Sequence, residues 1–96
     1  MTTQYIKIIG RVQGVGFRRW AERLGTRFGL SGWVRNMADG SVEVMAKGDS
    51  KALNEFLSAC REGPSFALVL GIQPVVIPTT TPPPIKDGVF ESVASS

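Results

Sequence analysis

Two segments of the chain carry apolar residues at the helical period, and each has a single apolar stripe. The first stripe consists of Phe17, Trp20, Ala21, Leu24 and Phe28, and the second of Ala52, Leu53, Phe56, Leu57 and Cys60. A helix with one apolar stripe must bury that stripe against another element. The two predicted helices therefore need a surface on which both can pack.

Segments with strand patterns on either side of the helices provide that surface. They cover residues 4–12, 31–37, 41–47 and 66–77, followed by a short segment at 89–93. Asp39-Gly40, between the second and third strands, is a strong hairpin signal. The order β-α-β-β-α-β with a short fifth strand predicts a ferredoxin-like α+β fold, an antiparallel sheet with both helices on one face.

The chain has 96 residues, which suits a single domain spanning residues 1–96. We expect residues 94–96 to fray, and the prolines within residues 78–84 exclude a helix or central strand there. No apolar run reaches the roughly 18–20 residues of a membrane span, and the first residues lack the pattern of a secretory signal. These features predict a cytoplasmic protein without membrane contacts.

Histidine is absent from the sequence, and Cys60 is the only cysteine. These absences exclude His/Cys metal clusters and the Ser-His-Asp and Cys-His arrangements for nucleophilic catalysis. We interpret Cys60 as a buried helix residue, since no base lies beside it in the sequence. Any catalysis must then use arginine, lysine, amide, carboxylate or backbone groups.

Positive charge is concentrated in the first half of the chain. Residues 1–48 contain eight Lys and Arg against three Asp and Glu, whereas residues 49–96 contain three against five. A basic half indicates an anionic partner, either a phosphorylated small molecule or nucleic acid. A solvated surface accounts for the same count, and we give that interpretation to Arg19, Arg23 and Arg27 on one face of the first helix.

The segment between the first strand and the first helix contains two glycines, Gly14 and Gly16. A loop that opens a helix leaves the first N–H groups of that helix unpaired, and such donors bind phosphate or carboxylate. Arg18 follows this loop, and its guanidinium can bind two phosphate oxygens at once. Two glycines after a strand more often form a plain turn, but an arginine in the first helical turn opposes the helix dipole, which favours an anionic partner.

Asn36 ends the second strand, where the chain can pass close to that glycine loop. Its carboxamide has two donors and an acceptor, enough to hold a water molecule. The alternative is a turn-flanking asparagine beside Asp39-Gly40.

Two separated motifs resemble the acylphosphatase family over residues 4 to about 72. The first is Val12-Gln13-Gly14-Val15-Gly16-Phe17-Arg18. The second is Gly32-Trp33-Val34-Arg35-Asn36, followed by Asp39-Gly40. Gly63-Pro64, at the end of the second helix, is also similar to the family. The resemblance implies a ferredoxin-like fold and hydrolysis of acyl phosphates to carboxylate and inorganic phosphate, without a metal or cofactor. It assigns phosphate binding to Arg18 and to the loop Gln13, Gly14, Val15, Gly16 and Phe17, and orientation of the attacking water to Asn36.

Other functions stay open beside that resemblance. Similar domains begin a hydrogenase-maturation protein, which suggests a regulatory or carbamoyl-phosphate-handling module, and an inactive phosphate-binding module is a further alternative. A nucleic-acid-binding sheet needs two or three exposed aromatic residues, and only Tyr5 is a candidate, so we expect no nucleic-acid partner. The expected partners are a small acyl phosphate and inorganic phosphate as product and inhibitor.

The sequence departs from the family pattern in residues 66–72, which contain no charged residue. Such a strand is either covered on both faces or exposes an apolar edge. We therefore expect a monomer or weak self-association through this fourth strand.

We interpret Trp20, Phe28 and Trp33 as core residues.

Overall fold

A computed structural model describes all 96 residues. The elements are β1 (Thr2–Arg11), α1 (Phe17–Arg27), β2 (Ser31–Asn36), β3 (Val42–Gly48), α2 (Ser50–Glu62), β4 (Leu68–Pro74) and β5 (Phe90–Ser92). This order confirms the predicted ferredoxin-like α+β class. Neither helix has the length and hydropathy that crossing a membrane requires.

The strands form one five-stranded sheet in the order β4-β1-β3-β2-β5. β1 pairs antiparallel with β3 and β4, and β2 pairs antiparallel with β3. β5 pairs parallel with β2, where Gly32 is opposite Phe90, so the sheet is mixed. Because β4 and β5 lie at opposite edges, the segment that connects them crosses the sheet.

The helix-facing side of the sheet holds the core. Ile6 and Ile8, at alternate positions of β1, are buried there. The apolar stripes of both helices meet them, with Phe17 and Ala21 from α1 and Leu53, Phe56 and Cys60 from α2. Burial raises the pKa of the Cys60 thiol to about 12, which agrees with an inert core residue.

The opposite side of the sheet is covered by the segment that connects β4 to β5. Trp33 is buried as predicted, but on this side, where its indole Nε1 donates to the Pro83 carbonyl over 2.9 Å. Beneath the same cover, Arg35 forms a buried ion pair with Glu43 at 2.8 Å. The Tyr5 hydroxyl donates to that carboxylate over 2.5 Å, and burial together with this bond raises the pKa of Tyr5.

The hairpin between β2 and β3 contains the predicted turn at Asp39. Both the N–H and the hydroxyl of Ser41 donate to Asp39 Oδ1, over 2.9 and 2.5 Å. The Lys7 ammonium contacts Asp39 Oδ2 at 2.5 Å, and this bond and those from Ser41 hold the pKa of Asp39 well below its usual range. The hairpin is thereby fixed on β1, next to the strand end that leads into the glycine loop.

Candidate active site

The loop between β1 and α1 depends on its two glycines for its conformation. Gly14 and Gly16 have φ values of +71° and +79°, in the left-handed region that other residues rarely adopt. A Cβ added at either position would meet open space. Glycine is therefore required here by the backbone geometry and not by crowding, and the loop leaves a concave surface.

The start of α1 presents unpaired backbone donors to that concavity. Gly16 occupies the N-cap position, no side chain caps the helix, and the first turn contains no acidic residue. The first backbone bond of the helix runs from the Trp20 N–H to the Gly16 carbonyl, over 3.1 Å. The N–H groups of residues 17–19 precede it and have no acceptor within the protein. Together with the helix dipole, roughly half a positive charge at this end, they favour an anion.

Core residues hold the loop at both ends. Val12 and Phe17 are each 1% exposed, and the Phe17 ring meets the edge of Trp20 with centroids 5.3 Å apart. The loop residue Val15 also packs against the core. The unpaired donors are thus positioned by packing before any ligand arrives, which is the condition for effective electrostatic stabilisation.

Asn36 reaches the same pocket from the end of β2. Its carboxamide Oδ1 is buried and has no hydrogen-bond partner in the protein. Its backbone is fixed on both sides, by pairing with Val42 of β3 and by the Ser96 N–H, which donates to the Asn36 carbonyl over 2.9 Å. A buried acceptor without a partner is costly, and its position in the pocket supplies a site for an O–H donor from a bound molecule.

Gln13 connects the loop to the strand end that carries Asn36. Its side-chain Nε2 donates to the carbonyls of Met37 and Ser41, both over 2.8 Å. Met37 directly follows Asn36, so this pair of bonds fixes the spacing between the loop and the carboxamide. The local sequence pattern predicts Gln13 only as a residue of the phosphate-binding loop, because it does not indicate a contact 24 residues away.

One pocket of about 160 Å³ brings these groups together. It is lined by Val12, Gly14, Gly16, Phe17, Arg18, Arg19 and Asn36. The candidate residues Arg18 and Asn36 thus share a pocket with three loop residues, whereas the side chains of Gln13 and Val15 face elsewhere. Pockets for drug-sized ligands span roughly 300–1,000 Å³, so this one suits a small ion or the reactive end of a larger molecule.

The charge of the pocket is entirely positive. Arg18 is half-buried and Arg19 is exposed, and neither forms an ion pair with a carboxylate. No acidic side chain lines the pocket. Two free guanidinium groups beside unpaired N–H donors form a site for an anion with several oxygens.

A larger cavity of about 290 Å³ lies on the other side of the sheet, beneath the segment that follows β4. Its charged lining residues are Lys7, Asp39 and Glu43, and all three are already paired, Lys7 with Asp39 and Glu43 with Arg35. This cavity offers no free charge to a ligand. The smaller pocket is therefore the candidate active site.

Comparisons with known proteins converge on one family. The family model for acylphosphatase matches residues 4–87. The chain is 53% identical to an acylphosphatase of Nitrobacter winogradskyi, over 71% of this chain and 69% of that protein. It is 44% identical to an acylphosphatase of Acidiphilium cryptum, over 92% of each chain.

Solved structures give the same result. The structure of acylphosphatase from Bacillus subtilis superposes with a TM-score of 0.77 at 34% identity, covering 96% of this chain and 99% of that one. The chain also resembles part of full-length HypF in a phosphate- and nucleotide-bound form, with a TM-score of 0.72 at 29% identity. That match covers 98% of this chain but only 12% of HypF.

Proposed function

Since this chain belongs to the acylphosphatase family, we propose that the pocket between the glycine loop and Asn36 is where it hydrolyses acyl phosphates. The reaction converts a mixed anhydride of a carboxylic acid and phosphate to a carboxylate and inorganic phosphate. The observation that supports this site is one small pocket with two unpaired arginines and an unpartnered buried carboxamide oxygen. The residue roles below are derived from that arrangement.

In this proposal Arg18 and the unpaired N–H groups bind the phosphoryl group. The guanidinium contacts two phosphoryl oxygens, and the N–H groups at the start of α1 donate to the others. Charge shifts on the phosphoryl group during bond cleavage, and these donors interact with it more strongly as it does. Since Val12 and Phe17 fix the loop in advance, the donors stabilise that charge without rearranging. Binding and stabilisation of the transition state therefore use the same groups.

Asn36 holds the attacking water. Its free Oδ1 accepts one O–H bond and aligns the water oxygen with phosphorus, opposite the leaving carboxylate. The water oxygen forms the new bond to phosphorus, and the bond from phosphorus to the acyl oxygen breaks with its electron pair retained by the carboxylate. The water proton passes to a phosphoryl oxygen of the substrate. A carboxylate is a weakly basic leaving group, so the chain needs no histidine.

Hydrolysis of benzoyl phosphate tests this function directly. We expect turnover that is unchanged by EDTA and inhibited competitively by inorganic phosphate, because the product occupies the same donors as the substrate. A coupled assay for released phosphate, or loss of benzoyl phosphate absorbance, gives both results. Absence of hydrolysis, or activity lost in EDTA and restored by a divalent cation, would exclude the proposed mechanism.

A regulatory or carbamoyl-phosphate-handling module is the second candidate, favoured by the similarity to part of HypF. Carbamoyl phosphate is also a mixed anhydride, so the same pocket accommodates it. Competition by carbamoyl phosphate without its hydrolysis would favour this alternative.

Nucleic-acid binding has no support, because the Tyr5 hydroxyl is bonded to Glu43 and its ring contacts Trp33. A reducing, cytoplasmic compartment agrees with the unpaired, buried Cys60.

We also propose weak self-association of two copies through the edge of β4. Phe66, Leu68 and Leu70 are 81%, 56% and 72% exposed, and residues 63–85 contain no charged side chain. Antiparallel pairing of two such edges about a two-fold axis brings no like charges together. The register shift opposite Ile9 and Gly10, and Pro74 at the strand end, shorten the regular edge and keep the association weak.

Sedimentation equilibrium tests the β4 contact. We expect the apparent mass to rise with concentration from the micromolar to the millimolar range, and Leu70→Lys to remove that rise because it places a charge on the exposed edge. Lys51→Ala, at an exposed site on α2, serves as the control. An apparent mass of one chain at every concentration would contradict the proposal.

A further inference from the structure

The end of β2, where Asn36 lies, contacts the segment that follows β5 (residues 93–96). Regular pairing of β2 with β5 ends at Val34. Beyond that pair, the Val93 N–H donates to the Val34 carbonyl over 3.0 Å. The Ser96 N–H then donates to the Asn36 carbonyl over 2.9 Å. The chain after β5 therefore continues alongside β2 as far as the residue that carries the carboxamide.

The carboxamide of Asn36 depends on the backbone for its position. Its Oδ1 is buried, yet no hydrogen bond within the protein holds that oxygen. The backbone of Asn36 pairs with Val42 of β3 on one side and accepts from Ser96 on the other. Without the bond from Ser96, the end of β2 would become a sheet edge that only β3 holds. The direction of the free oxygen therefore depends on this bond.

A second contact holds Ser96 beside β2. Its hydroxyl lies 2.5 Å from the hydroxyl of Thr80, which belongs to the segment that connects β4 to β5. That segment is itself fixed on the sheet by the bond from the Trp33 indole to the Pro83 carbonyl. The contact between Ser96 and the end of β2 is therefore part of a connected set of hydrogen bonds.

The adjacent carbonyls of Asn36 and Met37 accept from two different segments of the chain. Gln13 donates to the Met37 carbonyl and belongs to the phosphate-binding loop, so its replacement would disturb the loop and the carboxamide together. Ser96 lies outside that loop and does not line the candidate active site. A change at Ser96 therefore reaches Asn36 without altering any group that contacts the phosphoryl group.

We propose that Ser96 is a positioning residue that acts through Asn36, holding the end of β2 so that the carboxamide oxygen meets the attacking water. The inference rests on the proposed function, since it assumes that Asn36 orients that water. Misplacing the water slows the chemical step, whereas the donors to the phosphoryl group stay where they are. The effect of Ser96 therefore falls on kcat and leaves phosphate binding unchanged.

Ser96→Pro tests this role, because proline has no backbone N–H to donate. We expect kcat for benzoyl phosphate to fall roughly three- to tenfold, the effect of one lost hydrogen bond, with an unchanged inhibition constant for inorganic phosphate. Ser95→Pro is the matched control and should keep the wild-type kcat, since Ser95 is exposed and its N–H donates to no backbone carbonyl. Thr80→Val, which removes only the hydroxyl contact to Ser96, should lower kcat about twofold.

A double variant distinguishes positioning from a general structural effect. In a chain that already carries Asn36→Ala, Ser96→Pro should lower kcat no further, because the carboxamide that Ser96 positions is absent. A further loss in that background would overturn the inference, and so would a higher phosphate inhibition constant in Ser96→Pro alone. All variants are compared at a temperature at which circular dichroism shows them folded.

Two further results bear on the inference and on the proposed function separately. Wild-type kcat in Ser96→Pro, or an equal loss in Ser95→Pro, would overturn the positioning role while leaving acyl phosphate hydrolysis intact. Failure of the wild-type chain to hydrolyse benzoyl phosphate would instead overturn the proposed function, and the inference with it.

Discussion

Replacement of Arg18 by alanine should lower kcat/KM for benzoyl phosphate by about 10²–10³-fold or more, the effect of losing one preorganised donor to developing charge. The loss is large because Arg18 is the half-buried cation of the pocket and has no partner in the free protein. Its donors are not diverted to a carboxylate, so their full interaction is available to the phosphoryl group. Steady-state kinetics with benzoyl phosphate measure this effect.

Binding of inorganic phosphate should weaken in the same variant. In the proposed mechanism Arg18 binds the phosphoryl group in the ground state as well as in the transition state, so the inhibition constant for phosphate should rise together with KM. Arg27→Ala, about two and a half turns along the same helix and outside the pocket, is the control for the change in net charge. Near-normal rates in Arg18→Ala with native circular dichroism would show that the phosphoryl group binds elsewhere.

The architecture was predictable because each element has a clear local pattern. The single apolar stripes of the two helices and the alternation in β1 are short-range features, and burial of Ile6, Ile8, Phe17 and Phe56 follows from them. The direction of β5 had no such signal. Its parallel pairing with β2 depends on the path of a proline-containing segment across the whole sheet.

The proximity of Arg18 and Asn36 in one pocket follows from the strand topology more than from the spacing of the two residues in the sequence. β1 and β2 both pair antiparallel with β3, so they run in the same direction. Their carboxyl ends therefore lie on the same side of the sheet, at the ends of the strands. The glycine loop follows one of these ends, and Asn36 is the other. A β-α-β-β order therefore brings the loop and the carboxamide together, which the sequence supported without showing the contact.

Long-range side-chain contacts could not be predicted from local sequence patterns. The bonds from Gln13 to the β2–β3 hairpin, the cover over Trp33 and the place of Arg19 at the pocket rim all depend on tertiary geometry. Arg19 illustrates the reason, because its helical spacing with Arg23 is compatible with a solvated face and with a pocket wall alike. Only the position of the glycine loop decides between them.

Asn36→Ala should leave phosphate binding nearly unchanged and lower kcat by at least about 10²-fold. In the proposed mechanism Asn36 touches the water and not the phosphoryl group, and misplacing a reacting atom by about 1 Å costs on that order. The alanine variant removes the free Oδ1 acceptor but keeps the backbone bonds to Val42 and Ser96 that define the strand end. Steady-state kinetics and the inhibition constant for phosphate measure the two effects separately.

Comparison of the two alanine variants tests whether Arg18 and Asn36 have the separate roles that the proposed mechanism gives them. If Arg18 binds phosphate and Asn36 orients water, Arg18→Ala raises both KM and the phosphate inhibition constant, whereas Asn36→Ala changes kcat alone. Asn36→Asp, nearly the same size, should also be inactive and should in addition weaken phosphate binding, because a carboxylate there repels the dianion. Equal weakening of phosphate binding in Asn36→Ala would place the carboxamide on the phosphoryl group, and near-normal turnover would remove it from the reaction altogether.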